Sequence, residues 1–93
     1  MSFLDELDGI IARRQQEMPE GSYVADLFRN GLDRVLRKVG DESGEFIIAA
    51  QNNDDDEMKN EAADLIFHVM VALRAQGLSI QDVSDVLRDR HAE

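Results

Sequence analysis

Gly40-Asp41-Glu42-Ser43-Gly44-Glu45 and, beyond a polar break at Asn52-Asn53-Asp54, Glu61-Ala62-Ala63-Asp64 are the stretches whose reading decides the fold. Each lies in a segment of helical periodicity and sets two carboxylates three residues apart, on one face of its helix. An antiparallel fold-back about position 53 brings Glu45 level with Glu61, and Glu42 level with Asp64. Four carboxylates so placed repel one another strongly unless a cation lies between them. The expectation is a metal site of hard oxygen ligands, Glu42, Glu45, Glu61 and Asp64, suited to Mg²⁺ or Mn²⁺. The competing reading is a solvated acidic face, because acidic pairs spaced by three are common on exposed helices. The mirrored spacing and the apolar residues around both pairs favour the site.

Working outward, the remaining segments also read as helices. Ser2 to about Glu17 carries Phe3, Leu4, Leu7, Ile10 and Ile11 as an apolar stripe, with acids early and Arg13 and Arg14 late, as the helix dipole prefers. Met18-Pro19-Glu20-Gly21 ends it. Ser22 is placed to cap a short helix through Phe28 that stops at Asn30-Gly31. For Ser22 and Tyr23 two readings stand: a cap plus a core aromatic, or contact with a substrate. The third helix runs from Gly31 or Leu32 to Gln51, with Leu32, Val35, Leu36, Val39, Phe46, Ile47 and Ala50 on its buried face. Gly40 and Gly44 lie inside it at roughly 1 kcal/mol each relative to Ala, which suits a close approach by a ligand or a neighbouring helix. Asp54, with Glu57 three residues on, reads as the cap of a fourth helix that runs to Gln76 and closes at Gly77. Ser79 caps a last helix with Ile80, Val83, Val86 and Leu87 inward and Arg88, Arg90 and His91 at its end.

Ninety-three residues make a single domain, 1–93, with a limited core. A net charge of −10 disfavours nucleic acid and anionic membranes as partners. There is no cysteine, so disulfides and thiolate metal sites are excluded and the redox compartment stays open. The acidic start and the lack of a long apolar run point to a soluble cytoplasmic protein. Abundant Ala, Leu, Asp, Glu and Arg with one Pro suit an all-α bundle of four to five helices.

From Leu65 to Leu73 every residue is apolar except His68. A helix apolar all round is buried all round, and so few helices cannot enclose one of their own. The same holds for Phe46 to Ala50. The expected cover is a second copy of the chain, making a homodimer with a shared helical core. His68, four residues after Asp64, projects from the carboxylate face and reads either as a hydrogen-bonded core residue or as part of the site. Lys38, four residues before Glu42, either pairs with it or reaches a phosphate.

Glu-x-x-Glu facing Glu-x-x-Asp on adjacent helices resembles the all-α NTP pyrophosphatase (MazG-like) superfamily. More narrowly, Pro19-Glu20-Gly21-Ser22-Tyr23, Lys38-Val39-Gly40-Asp41-Glu42-Ser43-Gly44-Glu45, Ile47-Ile48-Ala49-Ala50 and Glu61-Ala62-Ala63-Asp64-Leu65-Ile66-Phe67-His68 resemble the phosphoribosyl-ATP pyrophosphohydrolases of histidine biosynthesis over nearly the whole length. The chain departs from the common pattern at Asp41, in place of Glu, at Gly44, in place of Ala, and at Phe67, in place of Tyr. The resemblance implies a MazG-like homodimer in the stand-alone form. It also implies Mg-dependent hydrolysis of 1-(5-phosphoribosyl)-ATP to 1-(5-phosphoribosyl)-AMP and pyrophosphate. Glu42, Glu45, Glu61 and Asp64 would be metal-binding and catalytic, with more than one ion once the triphosphate is bound. Lys38, Ser22, Tyr23 and His68 would contact the nucleotide. A pyrophosphatase acting on free (d)NTPs, and a non-enzymatic dimeric helical module that binds a basic partner, are the alternatives.

Overall fold

The computed structural model describes residues 2–92. Its elements are α1 (Phe3–Glu17), α2 (Tyr23–Asn30), α3 (Leu32–Gln51), α4 (Asp55–Ala75) and α5 (Ile80–Arg90), with no strand among the described residues. The fold is all-α, as expected.

The caps follow the side-chain chemistry. Ser22 accepts a hydrogen bond from the Ala25 amide at 3.1 Å, and Asp54 accepts one from the Glu57 amide at 3.1 Å. Ser79 and Asp82 form a complete capping box at the start of α5. Ser2, by contrast, makes no side-chain cap. Gly31, at φ +94°, turns the chain between α2 and α3 in a conformation an L side chain rarely adopts. In the turn between α3 and α4 the same need is met by Asn53 at φ +56°.

The antiparallel hairpin of α3 and α4 is the spine; α1 and α2 pack along it, and α5 packs on α1. Ile11 from α1, Leu27 from α2, Val35 from α3, and Met70 and Val71 from α4 form the fully buried core, with Leu7, Val24, Phe28, Phe67 and Ile80 against it. α1 is also tied to α4 electrostatically. The Arg74 guanidinium forks onto buried Asp8, Nε to Oδ1 at 2.9 Å and a terminal nitrogen to Oδ2 at 2.6 Å.

Several positions expected inside the core are exposed in the protomer. Leu36 and Ile47 of α3 lie outward, as do Val86 and Leu87 of α5. Ile66 is 41% exposed in the stretch expected to be buried on every side. The reason is geometric: α3 and α4 cover one side of each other, α1 and α2 cover only part of the pair, and α5 sits on α1. An apolar cleft of about 400 Å³ stays open between α3 and α4, lined by Leu32, Leu36, Val39, Val69, Leu73 and Leu78 among others. No single helix among the described residues is long and apolar enough to cross a membrane.

Candidate functional site: a carboxylate pair and a histidine clamp

The hairpin puts Glu45 of α3 and Glu61 of α4 in hydrogen-bond contact across the helix pair. Glu61 is only 6% exposed. Its carboxyl is pushed up to about 7 from an ordinary 4.5, first by the hydrogen bond with Glu45, then by burial, then by repulsion from Glu45, Asp64 and Glu57. Two carboxylates in contact must share a proton or hold a cation. Glu45, Glu57 and Glu61 border a cleft of about 250 Å³ beside the α3–α4 turn, with Asn52 and Asp54 at its rim.

Glu57 therefore faces the site as well as the helix start. Its spacing from Asp54 alone marks it only as a cap partner. The available signal was its place four residues before Glu61, one turn back on the same face.

Glu42 takes a different role from Glu45. It is buried and turned onto His68, whose Nδ1 lies 2.7 Å from its Oε1 and 2.9 Å from the Asp64 carbonyl oxygen. Both neighbours accept hydrogen bonds, so Nδ1 carries the proton and donates. In the neutral ring, His68 Nε2 then accepts from the Tyr23 hydroxyl, 2.9 Å away. The result is a hydrogen-bonded chain, Tyr23 to His68 to Glu42, joining the start of α2 to α4 and α3. Phe67 flanks it, stacked on Tyr23 at 6.1 Å between ring centroids. His68 is 5% exposed and both ring nitrogens are engaged.

The structure thus pairs Glu45 with Glu61, clamps Glu42 through His68, and leaves the Asp64 side chain exposed nearby. Among the described residues, no three Asp, Glu or His side chains are gathered into a ready cluster that could hold a metal ion. The donor chemistry nonetheless fits a hard divalent cation: oxygen-only ligands, mutually repelling, with a shared proton where a cation would relieve them. Ser22 is occupied as a cap, and its hydroxyl serves the backbone. Tyr23 is not a core aromatic; it is 50% exposed, at the edge of an open pocket formed by Arg14, Glu17 and the loop from Pro19 to Ser22. Lys38 makes no ion pair with Glu42, whose carboxylate is taken by His68. Among the described residues, no neighbouring atom lies within 4 Å of where a Cβ would stand on Gly40 or Gly44, so none of the five helices explains either glycine by close packing.

A helical hairpin carrying Glu-x-x-Glu against Glu-x-x-Asp, with the central acids pressed together, defines a MazG-like all-α protein. The chain belongs to the phosphoribosyl-ATP pyrophosphohydrolase family, whose model matches residues 4–91. It is 56% identical over 90 residues to the histidine biosynthesis bifunctional protein HisIE of Bacillus subtilis, covering 97% of this chain but only 43% of that protein. It is 46% identical over 92 residues to the phosphoribosyl-ATP pyrophosphatase of Leptospira biflexa, covering 99% of this chain and 100% of that one. The phosphoribosyl-ATP pyrophosphatase of Metallosphaera sedula is 47% identical over 87 residues, 94% of both chains.

Proposed function

We propose that the chain hydrolyses 1-(5-phosphoribosyl)-ATP to 1-(5-phosphoribosyl)-AMP and pyrophosphate, at a site built on Glu42, Glu45, Glu61 and Asp64. The observation that carries the site is the Glu45–Glu61 contact, in which two acids are forced together and one keeps its proton up to about pH 7. Family membership and the named relatives supply the substrate. Water attacks one phosphorus of the α–β anhydride: a new P–O bond forms as the bridging P–O bond breaks, pyrophosphate leaves, the monophosphate keeps the water oxygen, and the water's proton passes to a carboxylate and then to solvent.

Glu42, Glu45, Glu61 and Asp64 would hold Mg²⁺ or Mn²⁺. When bound, the cation supplies Lewis-acid polarisation of the anhydride and of the attacking water. His68 acts as a positioning residue: it holds Glu42 in one orientation, and Tyr23 holds His68. One of the four carboxylates would take the proton from the attacking water. Lys38, unpaired with Glu42, is available to a phosphate. No Ser, Cys or His nucleophile is needed, since the chemistry is direct displacement by water.

The active species is a homodimer. The Cα radius of gyration, 14.4 Å, exceeds the ~12 Å usual for a compact domain of this length. The apolar residues Leu36, Ile47, Ile48 and Ile66 lie on the outside of the protomer. Sedimentation at the monomer mass, with the helical spectrum retained, would remove this part of the reading.

The activity is tested by measuring pyrophosphate release from phosphoribosyl-ATP and from common (deoxy)nucleoside triphosphates, with Mg²⁺ and with EDTA. The expected result is Mg²⁺-dependent release with strong preference for phosphoribosyl-ATP. No release from any nucleotide, or equal release from all, overturns it.

A further inference from the structure

The first half of α3 carries a second charged feature, opposite in sign to the carboxylates. Arg34, Arg37 and Lys38 line one side of an open polar pocket of about 510 Å³ together with Asn30, Asp33 and Asp41. Helix electrostatics disfavour this arrangement. Arg34 lies in the first turn of α3, where the dipole is unfavourable to cations. Arg34 is also three residues from Arg37 and four from Lys38, spacings at which like charges destabilise a helix.

The neighbouring acids form no ion pair with the cluster. Asp33 stands four residues before Arg37, Asp41 four after it, and Glu42 four after Lys38, all at ion-pairing spacing. Yet among the described residues none of the three cations has a carboxylate within 4.0 Å. Elsewhere the same chain makes such pairs readily, as at Arg29–Asp26, Lys59–Asp56 and Arg88–Asp85. Glu42, the best-placed partner for Lys38, is held away by His68 at 2.7 Å. The apolar cleft uses Leu32, Leu36 and Val39, on the opposite side of the helix, so a partner seated there leaves the cations open.

The cluster also has a defined relation to the carboxylates. Arg34, Lys38, Asp41 and Glu45 follow one another at four- and three-residue steps along one stripe of α3. At 1.5 Å per residue, Lys38 lies ~10 Å and Arg34 ~16 Å along the helix from Glu45. In phosphoribosyl-ATP two pentose rings and a purine separate the triphosphate from the ribosyl phosphate. With the triphosphate at Glu45 and Glu61, that spacing puts the first turns of α3 within reach of the other phosphate.

We propose that Arg34, Arg37 and Lys38 are the seat of a phosphate monoester, the ribosyl 5-phosphate that sets phosphoribosyl-ATP apart from a free nucleoside triphosphate. The assignment of that phosphate rests on the activity proposed above. The seat recognises a dianion by charge-assisted hydrogen bonds and makes the site selective by a group remote from the broken bond.

Two measurements test it on the full chain. The first compares Arg34→Gln/Arg37→Gln with the parent. Both side chains are exposed, and an unchanged circular dichroism spectrum certifies the fold. KM for phosphoribosyl-ATP should rise about tenfold or more with a smaller change in kcat, while inhibition by ATP, which lacks the ribosyl phosphate, should weaken far less. Equal losses for both nucleotides would place the cations at the triphosphate end and overturn the proposal. The second follows arginine side-chain NMR signals as ribose 5-phosphate is added, with ribose as control. Saturable shifts of Arg34 and Arg37 with the phosphate alone support the seat, and their absence at millimolar concentration overturns it. If the parent releases no pyrophosphate from phosphoribosyl-ATP, the proposed activity falls, and the ribose 5-phosphate titration still decides the seat.

Discussion

Asp8 and Glu61 are buried to nearly the same degree, 7% and 6% exposed, and have opposite surroundings. Asp8 receives both arms of the Arg74 guanidinium and is neutralised where it stands. Glu61 meets Glu45, with Asp64 and Glu57 adding to the repulsion. An acid forked by arginine ties α1 to α4 and needs nothing from solution. An acid pressed against other acids is satisfied only by a proton or a cation. Burial alone therefore does not distinguish a structural carboxylate from a chemical one; the sign of the neighbour does.

The largest effects should separate these two acids. Glu61→Gln and Glu45→Gln are each expected to lower pyrophosphate release about 10²–10³-fold, while the metal-free protein stays as stable as the parent or becomes more so. Asp8→Asn should do the reverse: normal turnover per folded molecule, with stability lower by about 2–3 kcal/mol. This is below the usual range for breaking a buried pair, because the Arg74 side chain keeps 28% of its exposure. Activity assays beside urea melts check both. A Glu61→Gln variant that melts well below the parent would make Glu61 a structural acid and dissolve the contrast.

The clamp on Glu42 is intermediate. His68→Gln is expected to lower turnover about 10–100-fold, the usual range for a residue that orients a ligand. Tyr23→Phe, which removes one donor from His68 Nε2, should lower stability by about 1 kcal/mol and turnover by less than His68→Gln. Loss of the folded protein in His68→Gln, seen by circular dichroism, would make the histidine purely structural.

The pH dependence sharpens the comparison further. Glu61 keeps its proton in the folded state up to about pH 7 and loses it near 4.5 when unfolded. Between those values the folded state binds more protons, so metal-free stability should fall as pH rises through the window and level off above it. Mg²⁺ held at the proposed site by the folded form alone would restore stability above pH 7 more than at pH 5. Melting in EDTA and in Mg²⁺ at both pH values measures this; identical melting in all four conditions would refute it.

The smallest expected effect is at Gly44. Gly44→Ala should stabilise α3 by up to about 1 kcal/mol, since the added Cβ meets nothing within 4 Å. A variant that gains stability but loses turnover would mean that a ligand approaches this backbone closely.

Much of this was legible in the chain. The five helices and the all-α class follow from apolar spacing and from caps at Ser22, Asp54 and Ser79, all local features. The mirrored acids across the turn placed Glu45 opposite Glu61 because a hairpin with a known centre has one register. Inward and outward faces were less legible. Leu36, Ile47, Val86 and Leu87 look like core in periodicity and are exposed in the protomer, since periodicity reports that a face is apolar and not what covers it.

What the sequence determined by itself was the set of helices, the pairing of α3 with α4, and the presence of four acids on facing sides, because these depend on spacing along one or two elements. Only the tertiary structure decided how those acids divide. That Glu42 turns to His68, that Tyr23 completes the chain, and that Asp8 meets Arg74 across 66 residues of sequence depend on how α1 and α2 dock on the hairpin. Long-range electrostatic pairing has no local periodicity to betray it.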